Sequence, residues 1–196
     1  MNISIICTSP REGSQTLRFG QYLKSIFENQ DAENKISIID FEDFDIPAIG
    51  KGKVDPNNLS DYQSKLIQIW AKSDLIVFCS PEYNWTTNGE IFIMFDQLGN
   101  KNFEHLFENK VFACVGVSSG RGGKIAALDV SKVVSKLVSF QNKLSIVSSK
   151  IYESHETGKN IQEDFKSTGN IAFEAGVLNF VQYSLALTNK WIRSKT

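Results

Sequence analysis

The sequence predicts an α/β domain in which helices cover both faces of a five-stranded parallel sheet. Three observations carry that reading. Short β-branched runs alternate with longer segments of helical periodicity along the chain, and strands separated by helices pair in parallel because each crossover must span a face of the sheet. Two runs, SDLIVFCS at 73–80 and KVFACVGVS at 110–118, are apolar nearly throughout, as central strands buried on both faces require. The length of 196 residues suits one domain over 1–196, and 41% hydrophobic with 22% charged residues is ordinary globular composition.

The elements follow in order. NISIIC at 2–7 makes the first strand, a polar loop (TSPREGS) follows, and a helix covers 15–29. KISIID at 35–40 is the second strand. A loop with Pro47, Gly50, Gly52 and Pro56 leads to a helix in which Tyr62, Leu66, Ile69 and Trp70 fall at helical spacing and Ser60 is placed to cap the N-terminus. The strand at 73–80, a helix at 89–98, the strand at 110–118 and a helix at 124–138 come next. KLSIVS at 143–148 supplies the fifth strand, and after a polar stretch (SHETGKN) a closing helix runs from 161 to 185. Right-handed crossovers leave two strand orders to weigh, 2-1-3-4-5 and half of a dinucleotide-type sheet. In either, a ligand belongs beyond the carboxyl ends of the strands where the order reverses.

Composition excludes several classes. Net charge is −1, so no global basic field draws the chain to nucleic acid or an anionic membrane. No segment reaches the roughly 18 consecutive apolar residues of a membrane span. The N-terminus reads as a strand rather than a secretory leader. Cys7, Cys79 and Cys114 are widely spaced in apolar runs, which fits reduced, buried thiols and a cytoplasmic location. His105 and His155 are the only histidines, and no Cys–His cluster points to a metal.

Three loops therefore carry the chemistry. The first, Thr8-Ser9-Pro10-Arg11-Glu12-Gly13-Ser14-Gln15-Thr16, opens a helix, whose unpaired amides and partial positive charge suit a phosphate. Hydroxyls and Arg11 add donors. There is no Walker lysine and no GxGxxG. The same residues also suit a plain helix cap at Ser14 with Arg11 in solvent, and the loop by itself does not separate the two. The second, Ser80-Pro81-Glu82-Tyr83-Asn84-Trp85-Thr86-Thr87-Asn88-Gly89, offers backbone amides and aromatic faces to a flat heteroaromatic ring, or else a turn whose aromatics cover a helix. The third, Ser118-Ser119-Gly120-Arg121-Gly122-Gly123, lets backbone approach a ligand closely.

These motifs resemble the NADPH-dependent FMN reductase family, which includes flavin, quinone, chromate and azo-dye reductases of flavodoxin-like fold with strand order 2-1-3-4-5. The pattern G-S-x-R-x-x-S is met by Thr8 to Ser14, with threonine replacing the glycine, and P-E-Y-N is intact at Pro81 to Asn84. Ser118 to Gly123 is similar to, though shorter than, the segment S-x-x-G-x-x-G-G. The resemblance implies that Ser9, Arg11, Ser14, Gln15 and Thr16 bind an FMN phosphate. It implies that Pro81, Glu82, Tyr83 and Asn84 meet the isoalloxazine, with Ser118, Ser119 and Gly120 closing its other side. It also implies a homodimer or homotetramer built through helices beside the site. The stretch Thr86 to Asp96 departs from S-x-P-G-x-L-K-N-x-I-D, keeping only Gly89 and Asp96 and replacing lysine–asparagine by Phe92-Ile93.

By that resemblance the chain passes electrons from NAD(P)H through bound FMN to a small acceptor such as a quinone, flavin, azo compound or metal oxyanion. A flavin performs the hydride and electron transfer itself, so no catalytic acid or base is expected. Arg121 is a candidate contact for the nicotinamide nucleotide's phosphate, with solvent as its other destination. Two alternatives stand beside this reading: a non-catalytic FMN electron carrier, and a cofactor-less interaction module of the same fold.

Overall fold

In the computed structural model, which describes residues 1–193, the strands β1 (Asn2–Cys7), β2 (Lys35–Asp40), β3 (Leu75–Pro81), β4 (Val111–Val117) and β5 (Ile146–Val147) form a parallel sheet in the order β2-β1-β3-β4-β5. This is the flavodoxin-like order. The central strands β3 and β4 are buried at every position, so their side chains feed two cores. Ile76, Phe78 and Phe112 point to one face, where α2 (Asp61–Lys72), α3 (Gly89–Leu98) and α4 (Lys124–Phe140) pack. Leu75, Val77 and Val115 point to the other, beneath α1 (Gln15–Gln30) and the closing helix. Ser60 caps α2 as expected, in a capping box with Gln63.

Two expectations need correction. The fifth strand is not one run over 143–148: β5 holds only two residues, and a further strand, β6 (Tyr152–Ser154), takes over the edge of β4 nearer its carboxyl end. Between them the Ser148 hydroxyl accepts from the Lys150 amide at 3.2 Å, a local turn that lifts the chain out of the ladder. The closing helix does not begin at 161. A short α5 (Thr157–Asn160) and a turn bridged at Ile161 and Ser167 come first, and α6 runs Ile171–Arg193. Gly169 at φ +89° breaks any continuous helix there, and the Asn170 side chain accepts from the Phe173 amide at 3.3 Å to start α6.

By length and average composition Ile171–Ile192 is apolar enough to cross a membrane, although Glu174, Asn179 and Gln182 interrupt its apolar run. Its Phe173, Val177, Phe180 and Val181 fall three or four apart and lie in the core under the sheet.

Candidate cofactor cleft

At the carboxyl edge of the sheet the register is level: Cys7 lies beside Cys79, and Pro81 beside Val117. The turns after β1, β3 and β4 therefore leave the sheet side by side. The first and second are tied by short polar contacts. The Thr8 amide donates to Cys79 O at 2.9 Å, Asn88 Nδ2 donates to Thr8 O at 2.7 Å, and the hydroxyls of Ser9 and Tyr83 lie 2.9 Å apart. Arg11 stacks its guanidinium over the Tyr83 ring at 4.3 Å from the centroid.

The turn after β1 ends in a built N-terminus. Gly13 takes φ +56°, Ser14 caps α1 by accepting from the Leu17 amide at 3.1 Å, and its hydroxyl also meets that of Thr16 at 2.8 Å. The amides of Gln15 and Thr16 donate to no protein acceptor among the described residues. Both residues line the cleft beside three hydroxyls and one guanidinium, a donor set suited to an anion.

The turn after β3 is a two-residue hairpin. Tyr83 and Thr86 exchange backbone bonds at 2.8 and 3.1 Å, and Asn84 (φ 51°) and Trp85 (φ 68°) both adopt the left-handed conformation a type I′ turn demands. Thr86 donates its hydroxyl to Asp129 at 2.7 Å, fastening the hairpin to α4. Partial burial pushes the Asp129 carboxyl up, but the bonds from Lys132 and Thr86 outweigh it and hold the group below its usual range.

Glycine is obligatory where the turn after β4 returns. A Cβ on Gly116 would fall 1.7 Å from the Gly123 carbonyl oxygen, and Gly123 itself holds φ +109° at the start of α4. This turn is joined to the second by the Glu82 carboxylate, which accepts from the Gly123 amide, and by the Glu82 amide, which donates to Val117 O at 2.9 Å.

Together the three turns enclose a cleft of about 250 Å³. Of the residues expected from sequence, Ser9, Arg11, Ser14, Gln15, Thr16, Pro81, Glu82, Tyr83 and Ser119 line it. Asn84 sits exposed at the hairpin tip, outside the lining. Ser118, which is buried, and Gly120, which is exposed, are not among the lining residues and bond to Ser154, Thr157 and Glu156. Glu12 and Gly13, which lie inside the quoted first loop but were not named as binding residues, and Val117, which precedes the third loop, also line the cleft. Sequence reasoning missed Asn88, which locks the first two turns, and His155, whose Nδ1 accepts from the Gly122 amide at 3.0 Å. His155 had no local signal, because its partner stands 33 residues away.

Beneath the cleft Cys7 and Cys79 are neighbours and fully buried. A hydrogen bond with Cys79 and burial hold the Cys7 thiol well above its usual range, so it persists as a thiol and not a nucleophilic thiolate.

A family model described as NADPH-dependent FMN reductase matches residues 1–150. The chain belongs to that family. Its fold is also shared with solved structures at low identity. The flavoenzyme NAD(P)H:(acceptor) oxidoreductase FerB from Paracoccus denitrificans aligns with TM-score 0.73 and 15% identity over 96% of this chain and 97% of that one. An apo NADH:FMN oxidoreductase, EmoB, aligns with TM-score 0.64 and 15% identity over 93% and 87%. An azoreductase from Bacillus anthracis aligns with TM-score 0.53 and 13% identity over 96% and 99%. The family match ends before β6 and α5, the segment that backs the turn after β4.

Proposed function

We propose that the cleft binds FMN and that the protein is an NAD(P)H-dependent oxidoreductase delivering electrons to a small acceptor of the quinone, flavin, azo or metal-oxyanion class. One observation carries the reading: the unpaired amides of Gln15 and Thr16, with Ser9, Ser14 and Arg11, open into a cleft whose opposite wall is the intact P-E-Y-N turn. The donor set fits a phosphate monoester.

FMN, when bound, supplies the hydride and electron transfer chemistry, so the chain's task is binding and orientation. Arg11 and the start of α1 hold the phosphate end. Tyr83, held through its hydroxyl by Ser9 and covered on one ring face by Arg11, contributes an aromatic side chain to the cleft lining. Glu82 is engaged by the Gly123 amide and serves as a strut. Free, buried cysteines suit a reducing compartment, and we assign the protein to the cytoplasm. Exposed Trp85, Ile125 and Leu128, joined through the Thr86–Asp129 bond, support self-association to a dimer or tetramer, which light scattering measures.

The test is to titrate the purified protein with FMN and with riboflavin, then follow NADPH and NADH oxidation with a quinone acceptor. Tight FMN binding, weaker riboflavin binding and acceptor-dependent turnover are expected. A yellow protein inert toward every acceptor would make it a carrier, and a protein that rejects FMN would make it an interaction module.

A further inference from the structure

The turn after β4 reaches the cleft wall through Ser119, yet it is held from behind by a segment outside the family-matched residues. The Ser118 amide donates to Ser154 O at 2.9 Å, the Thr157 amide and hydroxyl both reach Ser118 O at 3.1 Å, and the Glu156 amide donates to Gly120 O at 2.8 Å. At the far end of the turn two successive amides take side-chain acceptors from different elements. Gly123 donates to Glu82, and Gly122 donates to His155 Nδ1 at 3.0 Å.

The His155 bond is unlike the others because it exists in one protonation state only. A ring nitrogen accepts a hydrogen bond only when it carries no proton, so this bond requires the tautomer with its proton on Nε2. That nitrogen lies 3.6 Å from a Glu153 carboxylate oxygen. A second proton would therefore strengthen the pairing with Glu153 while abolishing the bond to Gly122. The other charged groups around the ring are Glu156, whose carboxylate is taken by Lys159 at 2.6 Å, and Arg121 in the turn itself; Glu82 lies across the turn, held by Gly123.

We propose that His155 is a positioning residue for the cleft: neutral, it fixes the Gly122 end of the turn that carries Ser119 and braces Glu82, and on taking a second proton it releases that turn and weakens binding of the phosphorylated planar ligand. The proposal rests on the FMN reading of the cleft, and its test separates the two. FMN affinity is measured by flavin fluorescence from mildly acidic to mildly alkaline pH for the wild type, His155→Asn, which offers an oxygen acceptor that does not titrate, and His155→Phe, which offers none. The FMN phosphate titrates too, so each variant is compared with the wild type at the same pH.

Loss of one such hydrogen bond is worth roughly a two- to tenfold change in affinity. At alkaline pH the wild type and His155→Asn bind alike and His155→Phe binds two- to tenfold more weakly. At acidic pH the wild type falls to the level of His155→Phe, and His155→Asn retains the stronger binding. If His155→Phe tracks the wild type at every pH, the proposal is wrong. A ligand-free readout stands beside this one: the Gly122 amide resonance of the 15N-labelled apoprotein should follow a one-proton titration in the wild type and lose it in both variants. A wild type that binds no FMN at any pH sinks the flavin reading alone. An amide that ignores pH in the wild type sinks the role of His155.

Discussion

The hydroxyls of Ser9 and Tyr83 meet at 2.9 Å and join the turn after β1 to the turn after β3 across the floor of the cleft. Ser9 is almost wholly buried, so this bond has little competition from water. Tyr83→Phe removes it while keeping the ring on which Arg11 stacks. Stability should fall by about 1 kcal/mol, and FMN affinity by a few-fold, because the wall loses its tether. Denaturant melts and flavin titration check this, and an unchanged midpoint with unchanged affinity would show the contact to be incidental.

Arg11 should act on the phosphate and not on the ring system. Charge-assisted bonds to a phosphate are worth roughly 1.5–3 kcal/mol, so Arg11→Ala should weaken FMN binding by about ten- to a hundredfold. Riboflavin, which has no phosphate, should bind the variant nearly as it binds the wild type. Equal losses for both ligands would place Arg11 in packing against Tyr83 alone.

The hairpin tip stores strain that serves no contact within the chain. Trp85 holds φ 68° in a position where type I′ turns favour glycine, and its side chain is 82% exposed. Trp85→Gly gives up little burial and relieves the left-handed backbone, so the protein should gain about 1 kcal/mol, raising Tm by roughly 2–4 °C. A lower Tm in differential scanning calorimetry would mean that the indole is held by packing.

Asp40 closes β2 in a half-buried position, and burial pushes its carboxyl up to about 6, with the backbone bond from Glu42 opposing and the Glu42 charge assisting. The folded state thus holds this proton more tightly than the unfolded chain, whose value is near 3.8. Its stabilisation is complete below about pH 4 and is lost as pH rises through 6. Asp40→Asn keeps an oxygen for the Glu42 amide and removes the charge. At pH above 7 the variant should melt higher, by about 1 kcal/mol after solvent screening. Below pH 4 the advantage should vanish. Identical pH dependence of Tm in the two proteins would contradict this.

Where local pattern and tertiary environment agree, the fold and the cleft are legible in the chain itself. The strands at 2–7 and 35–40 and the helix at 89–98 sit where their periodicity puts them, and the caps at Ser14 and Ser60 are formed by the residues that suit them. Nine of the twelve cofactor residues expected from sequence line the cleft, because the turns leave adjacent strands in level register. What failed depends on distant partners. Tyr152 and Ser154 form a strand only because the free edge of β4 is there to receive them. The apolar periodicity of α6 reads backwards through Ile161, but that residue is buried as part of a turn. His155 acquires its role from an amide contributed by another loop.

The division of β4's edge between β5 and β6 has a consequence for anyone recombining this chain with its relatives. The residues that touch the cleft all precede Gly120, whereas, Glu82 apart, those that brace its third side come after Ile151. Exchanging the motif-bearing portion alone would transplant the lining without its buttress. A functional chimera must carry both blocks, and the later one is the part that comparison by family resemblance overlooks.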